Sequence, residues 1–263
     1  MSSSTWRVAS ASATGSAHLR QNTECQDRLA WRSLATAHGE TLIAVIADGA
    51  GSTSHGQEGA EIACRIFLEQ AAEFLSAAGG SVRSMNYSFG RHWIGYFHAR
   101  IREAAAAAGK EPREFASTLV AAVTGHDGAA FFQVGDGAIV VSGSGGAGSY
   151  SFALAPHEAE YVNVTDFITD EDAAEKLRFG FTETVPEDLI LFSDGIFPVA
   201  VDYRSQSPHE PFLIPMIAPL RNGAHSNGNG TLDEKLRAFL SSPGINERSD
   251  DDKSIILASR AGS

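Results

Sequence analysis

The chain is 263 residues long, carries 32 acidic against 20 Lys and Arg side chains, and has a formal net charge of −12. That length can bury a sizeable core without disulfide staples, and the acidic balance argues against a general nucleic-acid binder, which presents a basic face. The opening residues MSSSTWRVAS lack the apolar segment of a signal peptide, and no apolar run approaches the roughly 20 residues of a membrane span. Cys25 and Cys64 are the only cysteines and have neither metal-ligand nor redox-pair spacing. Buried thiols in a reduced, cytoplasmic setting are expected.

In chain order, the first apolar stretch is a weakly alternating strand, Trp6 to Ser12. Arg28 to Leu34 and Leu42 to Ala47 read as strands on either side of a His38-Gly39 turn. Gly59 to Ala78 places Ile62, Ala63, Ile66, Phe67, Ala71, Phe74 and Leu75 on one helical stripe. Ser88 to Ala108 is a second long helix ending at Gly109, with Phe89, Trp93, Tyr96 and Phe97 expected in the core. Leu119 to Thr124, Ala129 to Val134 and Ala138 to Ser142, joined by GHDG and GDG turns, predict an antiparallel meander. Residues 143–149 (GSGGAGS) read as a flexible turn, followed by strands over Ser151 to Leu154, Phe179 to Thr184 and Leu189 to Phe192. Helices over Phe212 to Leu220, weakened by Pro215 and Pro219, and over Leu232 to Leu240 flank a Gly/Asn loop at 222–230. The polar stretch 246–252 leads into a last strand, Ser254 to Ala258. With no repeat and no long linker, one α+β domain over 1–263 fits better than two, with packed sheets inside and helices outside.

Five aspartates mark the ends or starts of apolar runs: Asp27, Asp48, Asp136, Asp194 and Asp251. Asp-Gly is also a common turn dipeptide, so Asp48-Gly49, Asp136-Gly137 and Asp194-Gly195 each have a plain reading as a turn. Asp250 to Asp252 alone reads as a solvated acidic patch. Converging carboxylates, however, repel at neutral pH unless cations neutralise them. Hard oxygen ligands suit Mg²⁺ or Mn²⁺.

The neighbours of these aspartates carry a resemblance. GSAHLRQNTECQDRLA, IAVIADGAGSTSHGQEGAEIA, FASTLVAAV followed by FFQVGDGAIVV, LILFSDGIF, and SDDDKSIILA occur in this order over residues 15 to 258. In that order they resemble the motifs of metal-dependent serine/threonine phosphatases of the protein phosphatase 2C type (PPM family), in particular its divergent bacterial branch. The resemblance implies a four-layer αββα sandwich of two packed antiparallel β-sheets flanked by helices. It implies that two metals, Mn²⁺ or Mg²⁺, are bridged by Asp48, with the Gly49 carbonyl on one. Asp194 and Asp251 then hold the second, with Asp27 at the same cluster directly or through water. Asp136 corresponds to the ligand of a third, weaker metal, and Asp252 stands where many members have Asn. The implied catalytic residues are Asp48, Asp194 and Asp251. The implied partner is a phosphorylated protein, the target of a Ser/Thr kinase.

Two positions depart from the better-known members. Ala50 replaces a His two residues after the bridging Asp, and Asn22 replaces a phosphate-gripping Arg. His18 and Arg20 are the candidates for touching phosphate; His18 fits the divergent branch's own pattern. His55, in the loop after Asp48, is a weaker candidate. Pro156 to Lys176 reads as a variable flap beside the catalytic edge. The departures motivate an alternative, a catalytically weak pseudophosphatase that binds phosphoproteins. A two-metal nuclease or small-molecule phosphoesterase is a third reading, disfavoured by the missing basic stripe.

Overall fold

A computed structural model describes residues 6–142, 149–155, 165–223 and 231–260. The strands are β1 (Trp6–Ala13), β2 (Arg28–Thr36), β3 (Gly39–Ala47), β4 (Leu119–Gly125), β5 (Gly128–Val134), β6 (Ala138–Ser142), β7 (Tyr150–Phe152), β8 (Arg178–Thr182), β9 (Asp188–Phe192), β10 (Val201–Asp202), β11 (Ser207–Pro208) and β12 (Lys253–Arg260). The helices are α1 (Ser16–Gln21), α2 (Gly56–Ser76), α3 (Tyr87–Ala108), α4 (Ala173–Lys176), α5 (Phe197–Ala200), α6 (Glu210–Arg221), α7 (Thr231–Leu240) and α8 (Pro243–Asn246). Two five-stranded antiparallel sheets form, in the orders β1-β12-β9-β6-β7 and β2-β3-β4-β5-β8.

The period-2 geometry of a strand explains the layering. On β3, Ile43, Val45 and Ala47 face α2 and α3, in a core with Phe67, Trp93, Phe97 and Phe132. The alternate residues Leu42, Ala44 and Ile46 face the other sheet, against Leu189, Leu191, Ile256 and Ala258. On β12, Ile255 and Leu257 turn outward to Leu213, Ile217 and Leu220 of α6. Three apolar layers therefore separate four layers of structure, and the central strands are apolar on both faces. That is why they read as continuous apolar runs rather than as alternation.

Two expectations need correction. The GDG turn is not a hairpin: β5 pairs with β4 and β8, whereas β6 joins the other sheet beside β9 and β7. Gly135 has φ +94 and redirects the chain, and Gln133 Nε2 donates to the carbonyls of Gly135 (3.1 Å) and Gly137 (2.7 Å) to fix the crossing. Local pattern cannot separate such a crossing from a hairpin, because both need a Gly-rich bend. The helix expected over Phe212 to Leu220 forms as α6 with Pro215 and Pro219 inside it; its buried stripe of Leu213, Ile217 and Leu220 outweighs the missing N–H donors. Tyr96 is 38% exposed, while Trp93 and Phe97 are buried. The turn expected at 143–149 lies almost wholly outside the described residues, as does most of the 222–230 loop. The helix α1, between two unpatterned polar stretches, has no apolar stripe and escaped the periodicity reading.

The end of α6 is tied down by charge. Asp188 on β9 is fully buried and accepts from Tyr150 Oη at 2.9 Å and from Arg221 Nε at 2.9 Å, with a further contact from Arg221 Nη2. Removing one partner of a buried pair strands the other charge and costs about 3–5 kcal/mol. Arg221→Met is therefore expected to lower unfolding free energy by about that amount in urea denaturation. A loss within the scatter of a surface substitution would show that Asp188 does not depend on Arg221.

Candidate active site

The chemistry-bearing side chains come from the strand ends at one edge of the sandwich. Asp27 immediately precedes β2 and is 1% exposed. Its Oδ2 accepts from Ser193 Oγ at 2.7 Å, and Ser193 directly follows β9. Asp48 follows β3, and its backbone is locked to Thr118 in both directions: Thr118 N donates to its carbonyl (2.8 Å) and its own N–H donates to Thr118 Oγ1 (3.2 Å). Asp194 opens the single turn after Ser193. Asp251 lies just before β12, exposed, with its Oδ1 accepting from the N–H of Asp252 at 2.8 Å.

Close approach of backbones makes this convergence possible. A Cβ at Gly195 would lie 1.9 Å from the Asp252 carbonyl oxygen, and one at Gly15 would lie 2.3 Å from the Asp251 carbonyl carbon. No side chain fits at either position. The Asp250–Asp252 bend is thereby pressed between the Asp194 turn and the entrance to α1.

The carboxylates share one electrostatic neighbourhood. Burial pushes Asp194 up to about 7, and the negative charges of Asp136, Asp251 and Asp27 add to the effect. Burial likewise raises Asp27 to about 6, against the hydrogen bonds from Ser193 and Asp48. Asp48 is raised well above the usual carboxylate range, by burial first and then by Asp27, Asp194 and Asp251. Asp48 lies within hydrogen-bonding reach of both Asp27 and Asp194, so the three carboxylates act on one another directly. Lys253, fully buried, donates from Nζ to the Asp251 carbonyl (2.6 Å) and the Ser249 carbonyl (3.3 Å). It is one nearby cation, its pKa lowered by burial; Arg28, whose Nη1 donates to the Asp27 carbonyl at 2.8 Å, is another.

Among the described residues, no three His, Cys, Asp or Glu side chains make a preformed metal-ligand set. The donor chemistry nevertheless fits hard cations. Asp27 Oδ1 and Asp194 Oδ1 are buried without a hydrogen-bond partner, and a buried carboxylate oxygen left unpaired is costly unless something positive meets it.

The other expected residues fall as follows. Asp136 stands at the β5–β6 crossing, where Thr165 Oγ1 donates to its Oδ2 at 2.8 Å. Its charge reaches Asp194. Gly49 is buried behind Asp48. His18 is bound through Nδ1 to Asp252 Oδ2 at 2.9 Å. Arg20 is 66% exposed and pairs with Asp250. Asn22 ends α1 with φ 56, the left-handed conformation that Asn tolerates well. His55 bonds Ser54 Oγ and packs on Phe115. Of the flap expected at Pro156 to Lys176, residues 156–164 lie outside the described ones; the remainder reaches Asp136 through Thr165, and Lys176 gathers Asp166, Asp170 and Asp172. Cys64 is buried, but Cys25 is only half-buried. Sequence reasoning missed Ser193, Thr118, Lys253 and the clamp made by Asp252, which also accepts from the N–H groups of Gly15 and Gln26, both at 2.6 Å. A lysine and an aspartate inside an apolar strand start were the available signal.

Comparison with known proteins bears on the fold and the family. The family model for protein phosphatase 2C matches residues 14–241. Serine/threonine-protein phosphatase 3 of Escherichia coli K12 is 35% identical over 260 residues, covering 96% of this chain and 98% of that protein. Among solved structures, the serine/threonine phosphatase of S. agalactiae superposes with a TM-score of 0.61 at 16% identity, covering 97% of this chain and 99% of that one. The catalytic domain of serine threonine protein phosphatase PstP, solved in complex with 2 manganese ions, superposes with a TM-score of 0.60 at 13% identity, covering 98% of this chain and 99% of that one. The fold and these matches define a two-sheet phosphatase sandwich. The chain belongs to the protein phosphatase 2C family.

The raised carboxylates fix the sign of a pH effect. Asp27 and Asp194 hold protons in the folded state at pH values where an unfolded Asp has lost them. Between about pH 4 and pH 7 the folded state therefore binds more protons, and stability falls as pH rises. In chelator, Asp48→Asn at pH 8 is expected to raise the melting temperature, and in saturating Mn²⁺ the order should reverse through lost binding free energy. A variant less stable than the wild type in chelator would mean that Asp48 serves the turn rather than the cluster.

Proposed function

We propose that this protein hydrolyses phosphoserine and phosphothreonine in proteins, using Mn²⁺ or Mg²⁺ held by the strand-end aspartates. The observation that carries the reading is the convergence of Asp27, Asp48, Asp136, Asp194 and Asp251, in a chain of the protein phosphatase 2C family. Asp48, Asp194 and Asp251 would hold two metals with the Gly49 carbonyl, Asp27 would support them, and Asp136 would serve a third. Such cations polarise phosphoryl oxygens and lower the pKa of a bound water.

The chain's own groups fit a reaction with water as nucleophile. Cys25, the half-buried thiol near the site, is pushed up by burial and by the charges of Asp27 and Asp252, which is the wrong direction for a thiolate nucleophile. The carboxylates are held by backbone and hydroxyl contacts at strand ends, and phosphoryl transfer depends on such positioning. The pseudophosphatase alternative finds no support, since no expected carboxylate is missing. The net charge of −12 disfavours a nuclease. Partner proteins would be substrates of a Ser/Thr kinase. Among the described residues no helix is long and apolar enough to cross a membrane, and we retain the cytoplasmic setting as part of this reading.

Hydrolysis of a phosphothreonine peptide should require added Mn²⁺ or Mg²⁺ and vanish in chelator. Undiminished activity in chelator, or none with any divalent ion, would refute the reading. The ligand assignment separates two variants by titration calorimetry. Asp194→Asn should weaken tight Mn²⁺ binding by tenfold or more, whereas Asp136→Asn should lower turnover and leave tight binding in place. Equal loss of tight binding in both would contradict the assignment.

A further inference from the structure

We propose that His18 is the proton donor to the departing seryl or threonyl oxygen, with its ring positioned by Asp252. The proposal rests on the phosphatase reading above and assigns the acid that Ala50 cannot supply.

Three features of the geometry converge. First, the ring is fixed from behind. Asp252 is 2% exposed and already accepts from the N–H groups of Gly15 and Gln26. A carboxylate so surrounded is the acceptor, so His18 Nδ1 carries the hydrogen of the 2.9 Å contact. This leaves Nε2 as the atom able to give a proton elsewhere. Second, Nε2 points at the right loop. A Cβ at Gly51 would lie 3.4 Å from it, so it faces the Ala50-Gly51 segment that follows Asp48. Nε2 has no hydrogen-bond partner among the described residues, and the His18 side chain is 14% exposed. Third, the other described histidines are elsewhere. His55 is engaged by Ser54 and Phe115, and His98 and His209 by the carbonyls of Ile168 and Val199. His92 is exposed on α3. His38 and His126 occupy turns at the opposite end of their sheet from Asp48, as the β2–β3 and β4–β5 registers require.

The step balances. Water oxygen bonds to phosphorus as the ester P–O bond breaks, and the electron pair of that bond stays on the departing oxygen. That oxygen takes the Nε2 proton and leaves as the alcohol. The attacking water loses one proton to solvent, and the imidazole takes one back. A serine or threonine alkoxide is a poor leaving group and needs this proton, whereas p-nitrophenolate does not. General acid catalysis of such a step contributes about 10²–10⁴-fold.

The test compares turnover of a phosphothreonine peptide and of p-nitrophenyl phosphate by the full-length protein in saturating Mn²⁺. His18→Gln removes the ring. His18→Asn removes Nε2 and keeps an amide able to donate to Asp252. In both variants the ratio of peptide to aryl-phosphate turnover is expected to fall at least tenfold, with far-ultraviolet circular dichroism unchanged. An unaltered ratio overturns the proposal, whether both activities persist or both fall together, because a merely structural role moves the two substrates equally. If the wild-type protein hydrolyses neither substrate with Mn²⁺, the phosphatase reading itself fails, which is a separate result.

Discussion

Like-charge crowding in a water-poor edge is the constraint on which this structure turns. At an effective dielectric of about 20, two unit charges about 4 Å apart repel by about 4 kcal/mol before relaxation and screening. Asp27, Asp48 and Asp194 are nonetheless brought within mutual reach by the ends of strands in both sheets. The three apolar layers between and outside the sheets supply the rigidity that keeps these ends from splaying apart. A site that stores such repulsion is poised to take up protons or cations, and the buried unpaired oxygens of Asp27 and Asp194 face that demand most directly.

The bend from Asp250 to Lys253 joins several roles in four consecutive residues. Asp251 presents a carboxylate, Asp252 binds the entrance of α1 and the Gln26 N–H, and Lys253 holds the carbonyls of the bend. Gly15 and Gly195 permit the surrounding backbone to close on it. The first strand, the first helix and the last strand thus meet at one bend, far apart in sequence and adjacent in space. This explains how His18 and the Asp194 turn are held in fixed relation without a shared element.

Much of this was legible from the chain. Doubly buried strands such as β3 and β12 announce themselves as unbroken apolar runs, and aspartates at their ends mark the edge where side chains project together. The five motifs in order identified the family, and the αββα layering follows from it. What could not be read depends on contacts distant in sequence. Whether Gly135-Asp136-Gly137 closes a hairpin or sends the chain to the second sheet is decided by the partners of β6, not by the turn. The pairing of His18 with Asp252 spans 234 residues, and neither residue signals the other.

The central claim is that burial and like-charge crowding raise these carboxylates, so that cations taken up at the proposed site would displace protons. Calorimetric titration of Mn²⁺ into the metal-free protein at about pH 6.5, in buffers of different ionisation enthalpy, tests it most directly. With burial and mutual repulsion raising Asp27, Asp48 and Asp194, Mn²⁺ binding should be accompanied by net proton release from the protein. Tight binding with no proton release, or no tight binding at all, would contradict it.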